Sequence, residues 1–397
     1  MFGNTGKIVW VDLDESAAQI RTLPDSYYTR FIGGAGLAAK IFWDFGDFHA
    51  APLDPQALLI FMNGPFAGLK LSGCSRSAVA GRSPLTGHWG DSSCGGHFAP
   101  ELRYAGFDGI VLEGKSKFPC VLFVEDGLVQ ILPAGDMWGA GVFDTTDTLR
   151  KQFGKKSRSL VIGPAGENLV NYACIINEGH HAFGRAGYGA VMGSKNLKAI
   201  IVKSSEPRYL AADPESLDAL RRELDSRIRN SVTSQVFHEN GTAANLEGAV
   251  HMGDVPIRNF TSSFWEEMAE ALTGSTLSES YLTNKGACAF CKIACKRVVE
   301  VKEGPFAIPK GPGPEYETIA AFGSMLGSMD LAATCKASRL CNDLGIDTIT
   351  AGSTIAWGME AYEKSAICAN DTDGIVLTWG DLDTVVKTIL PDIAYKK

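Results

Sequence analysis

Residues 201–228, IVKSSEPRYLAADPESLDALRRELDSRI, hold the point at which the chain changes texture. Upstream, from Lys7 to about Lys203, the pattern is strand-like. IVWVDL (8–13) reads as a strand, ALLIFM (57–62) as a short buried run, and CVLFVEDGLVQIL (120–132) as a hairpin about Asp126-Gly127. Downstream, Asp213 is placed to cap a helix that starts at Pro214 and carries Leu217, Leu220, Leu224 and Ile228 on one face. The helical texture then continues. EGPFAIPKGPGPEYE (303–317) is a Pro/Gly-rich loop entering another helix near Tyr316, and a turn near Asn370–Gly374 interrupts the last stretch. The predicted class is α+β: a β-rich cofactor-binding domain over 1–206, then a mainly α-helical domain over 207–397.

A chain of 397 residues is long enough for two or three domains and a large core. Ten cysteines are too sparse for a small disulfide scaffold, and MFGNTGKIVWVDLD places Gly and acid where a secretory leader needs an apolar run. A reducing cytoplasm is therefore expected. The net charge of −8 argues against a nucleic-acid surface, and no apolar run is long enough to span a bilayer. Small molecules and other proteins are the expected partners.

GACAFCKIAC (286–295) places Cys288, Cys291 and Cys295 in a C-x2-C-x3-C spacing. That spacing suits three corners of a [4Fe–4S] cube whose fourth ligand comes from elsewhere. A zinc site is the first alternative, weakened because no His follows His251. Buried free thiols are the second.

Three further segments look built to hold an anion: SGCSRSAVAGRSPLTG (72–87), GDSSCGG (90–96) and GRAGYGAVMGSKNLKAI (184–200). Glycines let the backbone approach a ligand and aim N–H groups at phosphate oxygens, while Arg76, Arg82 and Arg185 add guanidinium forks. The dinucleotide fingerprint is not met, because Gly187-x-Gly189 is followed by Gly193, one place late. Singly, each segment reads as tight turns. Together they favour a large phosphate-bearing cofactor.

GRAGYGAVMGSKNLKAI, CAFCKIAC (288–295), GPGPEYET (311–318) and CNDLGIDTIT (341–350), in this order, resemble the tungsten-containing aldehyde:ferredoxin oxidoreductase family over essentially the whole chain. The resemblance implies that the β domain is a base for a tungsten (or molybdenum) bis-pyranopterin, that helical domains close over it, and that a [4Fe–4S] cluster lies beside one pterin. It implies pterin or phosphate contacts from Arg76, Gly95, Arg185, Ala186 and Gly187, and a Mg2+ bridging the phosphates through backbone oxygens of Ser93 and Ala186. Ser93 stands where the family commonly has Asn. The family's D-x-x-G-L-D motif becomes Asn342, Gly345, Ile346 and Asp347, with Asn in the first place; read from the residues alone, these are helix-ending polar groups and a capping glycine. Glu317, and after it Glu315, match the family's active-site glutamate; the alternative is an acidic first helical turn.

The implied reaction is oxidation of an aldehyde to a carboxylic acid, with electrons leaving through the cluster to ferredoxin or a ferredoxin-like subunit, in a homo- or hetero-oligomer. Family members run beyond Lys397 and carry there a D-x-x-G-L-C motif, the fourth cluster cysteine and a catalytic His. The chain is thus expected to be a fragment, a split subunit or a truncated paralogue, and Cys335 and Cys341 to be core residues rather than ligands. Two alternatives stand beside the leading function: an inert pterin- or cluster-carrying subunit, and a reductase of an aromatic thioester.

Overall fold

The computed structural model describes residues 2–207 and 211–396. The first six strands are β1 (Lys7–Asp12), β2 (Ala17–Thr22), β3 (Leu59–Asn63), β4 (Ser77–Arg82), β5 (Trp89–Cys94) and β6 (Gly109–Glu113), which form one sheet ordered β2-β1-β6-β3-β4-β5. A second sheet is ordered β11-β10-β9-β12-β7-β8. Its strands are β7 (Cys120–Glu125), β8 (Leu128–Pro133), β9 (Arg158–Val161), β10 (Ile175–Asn177), β11 (His181–Phe183) and β12 (Leu197–Lys203).

Strand periodicity sorts the side chains into layers. Val9, Val11, Leu59, Phe61, Ile110 and Leu112 face the other sheet and meet Leu122, Val124, Leu160, Ile200 and Val202. Their neighbours Ile8, Trp10, Ile60, Met62 and Val111 point outward onto Leu37, Ile41 and Phe42 of the helix Gly34–Phe45. On the far side, Val121, Phe123, Val161, Ala199 and Ile201 are covered by Val142 and Leu149 of the helix Val142–Phe153. The core shared by the two sheets also takes in Phe98 and Leu102 of the helix Phe98–Tyr104 and Tyr188, Val191 and Met192 of the helix Tyr188–Ser194, so helices cover the outer face of each sheet and also enter the space between them. The central strands are buried on both faces, which is why ALLIFM reads as a continuous apolar run. Each such buried aliphatic side chain contributes roughly 1.5–3 kcal/mol over leaving it exposed.

The helix Pro214–Asn230 begins as predicted: Asp213 accepts the backbone N–H groups of Glu215 at 3.1 Å and Ser216 at 3.0 Å. Its apolar stripe is only half covered, with Leu220 46% exposed. The helical part also contains a third, antiparallel sheet that its texture hides: β13 (Leu282–Gly286), β14 (Lys296–Val301) and β15 (Ile308–Pro312), in that order. β15 runs through the segment predicted as loop. It is an edge strand, so the missing N–H groups of Pro309 and Pro312 break no interior ladder. The loop joining β13 to β14 carries all three cysteines of the triad.

The two textures join in a shared core, where Ala165, Ala173 and Ala190 pack against Leu344, Ile346 and Leu390. The C=O of Gly345 accepts the N–H of Cys174 at 2.8 Å, and the N–H of Asp347 reaches Tyr172 O at 3.2 Å. Cys335 and Cys341 are fully buried on the helix Leu331–Leu344. Among the described residues, no helix is long and apolar enough to cross a membrane.

Candidate cofactor site

Two cavities adjoin where the β-rich layers meet the helical part, and three side chains, Arg76, Lys296 and Glu315, line both. The smaller, about 240 Å³, is lined by Cys288, Cys291 and Cys295 with Gly95, His181 and Thr242. Local geometry folds the cysteine loop inward: Phe290 and Ala294 take positive φ of 64° and 52°, and Cys291 N–H donates to Cys288 O at 3.1 Å. The loop is pinned to the β domain by Ala289 N–H on Gly96 O at 3.2 Å. A Cβ on Gly95 would lie 2.7 Å from Cys288 Sγ, so that position has room only for glycine. Burial, then the charges of Glu315, Cys288 and Cys291, push the Cys295 thiol up, which places the three thiols within electrostatic reach of one another. Among the described residues, no three Cys, His, Asp or Glu side chains converge on one ion position. A cube held at separate corners asks for no such convergence, whereas zinc does.

The larger cavity, about 400 Å³, lies within the size range of small-molecule pockets. Arg76, Arg185, Glu317, Asn342, Ile346 and Asp347 line it, with Cys174, His180 and Thr318. Two of the expected pterin contacts meet across the joint: Arg185 Nη1 donates to Asp347 Oδ2 at 3.1 Å and to Thr350 Oγ1 at 2.8 Å. Asp347 is buried and also caps the helix Thr348–Glu363 through the N–H groups of Ile349 and Thr350. Ala186 is held in a left-handed conformation, φ 73°, uncommon for a residue with a Cβ. Its C=O accepts Ser83 Oγ–H at 2.8 Å, while Ser93 O accepts Arg76 Nη2 at 2.9 Å. Each carbonyl retains a second lone pair for a cation. Ser93, Ala186, Gly187 and Gly345 stand outside the lining of both cavities.

The two glutamates part company. Glu315 receives Lys296 Nζ at 3.1 Å on Oε1 and Thr242 Oγ1 at 2.6 Å on Oε2. Burial pushes its carboxyl up, but Lys296 and Thr242 outweigh burial and hold it below the usual range, so it is a fixed carboxylate and a weak base. Glu317, in the first turn of the helix Tyr316–Phe322, is exposed to the larger cavity alone.

Lys296, His180 and His181 line the site without having been expected there. Burial and then Lys296 bring the His180 imidazole down to about 4, and push His181 lower still, so both rings are neutral. The Nε2 of His181 is buried with no hydrogen-bond partner among the described residues. Nothing in the dipeptide signals this, whereas a Lys directly after the third cysteine is a readable cue. The reverse holds for the end of the third Gly-rich segment. Lys195 Nζ donates to Pro55 O at 2.7 Å and Gly114 O at 3.2 Å, and Lys198 pairs with Glu167 in the core, so those cations face away from any ligand.

Residues 8–204 match the family described as aldehyde ferredoxin oxidoreductase, N-terminal domain, and residues 219–397 match aldehyde ferredoxin oxidoreductase, domains 2 and 3. The tungsten-containing aldehyde ferredoxin oxidoreductase of Pyrococcus furiosus is 36% identical over 97% of this chain and 63% of its own length. That of Thermococcus kodakarensis is 36% identical over 100% of this chain and 65% of its own. The chain thus spans somewhat less than two thirds of these relatives. Among solved structures, the active site complex BamBC of benzoyl coenzyme A reductase, in complex with 1,5-dienoyl-CoA, superimposes with a TM-score of 0.84 at 27% identity, covering 99% of this chain and 62% of that one.

Proposed function

We propose a function for a chain that belongs to the aldehyde ferredoxin oxidoreductase family: oxidation of an aldehyde to a carboxylate at a tungsten or molybdenum bis-pterin, with electrons leaving through a [4Fe–4S] cluster. The balanced change is RCHO + H2O → RCOO⁻ + 3H⁺ + 2e⁻. The observation that carries this reading is the shared wall: a three-thiol cavity and a cavity lined by Arg76, Arg185 and Asp347 have Arg76, Lys296 and Glu315 in common. The donor set fits the groups. Three soft thiolates suit iron, and guanidinium forks suit phosphate.

When bound, the pterin-held metal supplies the two-electron chemistry and the cluster passes electrons one at a time. Cys288, Cys291 and Cys295 hold the cluster. Arg76 and Arg185 bind the anionic ends of the pterins, Arg185 by exchanging part of its pairing with Asp347 for phosphate. Gly95, Gly187 and Gly345 set the backbone, and Asn342 and Ile346 wall the pterin beside Asp347. The carbonyls of Ser93 and Ala186 would hold a Mg2+, which would supply charge neutralisation for the phosphates. Glu317 moves the proton, since it faces the larger cavity free of the Lys296 pairing that ties down Glu315. Ferredoxin or a similar small carrier is the electron acceptor.

A second reading, reduction of an aromatic thioester, is favoured by the likeness to the BamBC complex. One experiment separates the readings. Protein purified anaerobically is analysed for metals and assayed for aldehyde-dependent and aromatic-thioester-dependent redox turnover with a low-potential dye. Iron together with tungsten or molybdenum, and aldehyde turnover that falls about 100-fold or more in Glu317→Gln, is the expected result. Iron without either heavy metal would leave only a cluster-carrying subunit, and turnover with the thioester alone would select the second reading.

A further inference from the structure

Lys296 follows Cys295 directly and opens β14. Successive strand residues point to opposite faces, and here the two basic neighbours divide the work. Arg297 is buried and turns into the helical part, donating to Glu239 O at 2.6 Å, His238 O at 2.9 Å and Ala294 O at 3.0 Å. Its task is structural, tying down the end of the cysteine loop. Lys296 turns the other way, its side chain 12% exposed, into the wall between the two cavities.

The pairing there is fixed from behind. Lys296 Nζ meets Glu315 Oε1 at 3.1 Å; the other carboxylate oxygen takes Thr242 Oγ1 at 2.6 Å, and that hydroxyl oxygen accepts Tyr316 N–H at 2.8 Å. Arg76, the other cation common to both cavities, is directed to Ser93 through its backbone and side-chain oxygens. The two imidazoles of the wall are neutral and add no charge of their own. One ammonium paired with one carboxylate, and the Arg76 guanidinium bonded only to neutral Ser93 oxygens, therefore stand beside the three thiols in a partly buried place where Coulomb interactions are weakly screened.

We propose that Lys296 sets the reduction potential of the cluster held by Cys288, Cys291 and Cys295, with Glu315 as its opposing counter-ion. The inference rests on the cluster assignment made above. Reduction places one more electron on the cluster; a neighbouring cation favours that state and a neighbouring anion disfavours it. Because both partners flank the cavity and Arg76 is common to every variant, deleting Lys296 removes a positive charge and deleting Glu315 a negative one, and the two deletions shift the potential in opposite directions. Lys296 is a positioning charge, not a catalytic residue.

The test is a redox titration of the cluster followed by electron paramagnetic resonance, with iron per chain measured on each sample of anaerobically purified protein. Lys296→Met should move the midpoint to a more negative potential, Glu315→Gln to a more positive one, and Lys296→Arg should stay near the starting value, all at unchanged iron. A Lys296→Met midpoint equal to that of the unsubstituted protein, at equal iron, overturns the inference. Should Lys296→Met lose its iron, Glu315→Gln decides alone: a midpoint no higher than the unsubstituted protein's overturns it equally. Absence of a cluster from the unsubstituted protein is a different failure, that of the assignment itself.

Discussion

Gly95 is the residue at which sequence and site agree most directly. The space a side chain would fill is taken by Cys288 Sγ, 2.7 Å from where a Cβ would stand, and the glycine's backbone is not left-handed, so alanine would meet a steric obstacle and no conformational one. Gly95→Ala should push Cys288 off its position at an overpacking cost of roughly 1–3 kcal/mol. Bound iron should fall while far-ultraviolet circular dichroism is unchanged; full iron occupancy would show that the cysteine loop adjusts freely. Spacing made the three thiols legible, and composition made Gly95 and Arg185 legible. Lys195 and Lys198 stand in the same Gly-rich motif, yet they are spent on buried carbonyls and Glu167, because a residue's position relative to the core is not written in its type.

Among the elements, the hairpin β7–β8 was readable because Asp126 and Gly127, at φ 45° and 91°, form a two-residue turn that depends only on local sequence. The hairpin β10–β11 was not, because its tip is fixed by distant partners. Glu178, buried there, accepts His97 N–H at 3.1 Å, meets His97 Nδ1 at 3.0 Å, and pairs with Arg158 at 2.8 Å. Burial raises its carboxyl, but His97 and Arg158 outweigh burial and bring it down to about 2. A carboxylate depressed in the folded state adds stability that is complete above its unfolded value and disappears as pH falls toward the folded one. The window is therefore about pH 4.5 down to 2, and the effect is at most about 3 kcal/mol. Urea unfolding at successive pH values should show the unsubstituted protein losing stability through that window and Glu178→Gln starting lower with a shallower slope. Parallel curves would remove Glu178 as the cause. β15 escaped notice for a related reason: Pro and Gly signal a loop locally, and only the position of the strand at a sheet edge makes them acceptable.

For the whole molecule, the decisive feature is the joint that brings the cofactor-facing residues of the β layers against those of the helices. Gly345 is one of its close approaches. It ends the helix Leu331–Leu344 at φ 74°, and a Cβ there would stand 2.7 Å from Gly163 N, in the backbone of the opposite part. The next two residues bridge to Ala173 and Tyr172, and Asp347 then receives Arg185. As a helix-ending glycine Gly345 was legible from sequence, but its approach to Gly163 was not, since the two are brought together only by the packed fold. Gly374, at φ 85° with open space around it, provides the control, because alanine there meets the left-handed backbone cost without a clash. Both substitutions should cost about 1–2 kcal/mol for the conformation, and Gly345→Ala a further 1–3 kcal/mol, roughly, for forcing the two parts apart. Chemical denaturation measures the difference. A larger loss for Gly345→Ala, accompanied by reduced pterin retention with iron still bound, is expected if the joint aligns the larger cavity while the cysteine loop holds the smaller one independently. Equal losses at the two glycines would mean that the joint yields without strain and that the larger cavity is aligned by other contacts.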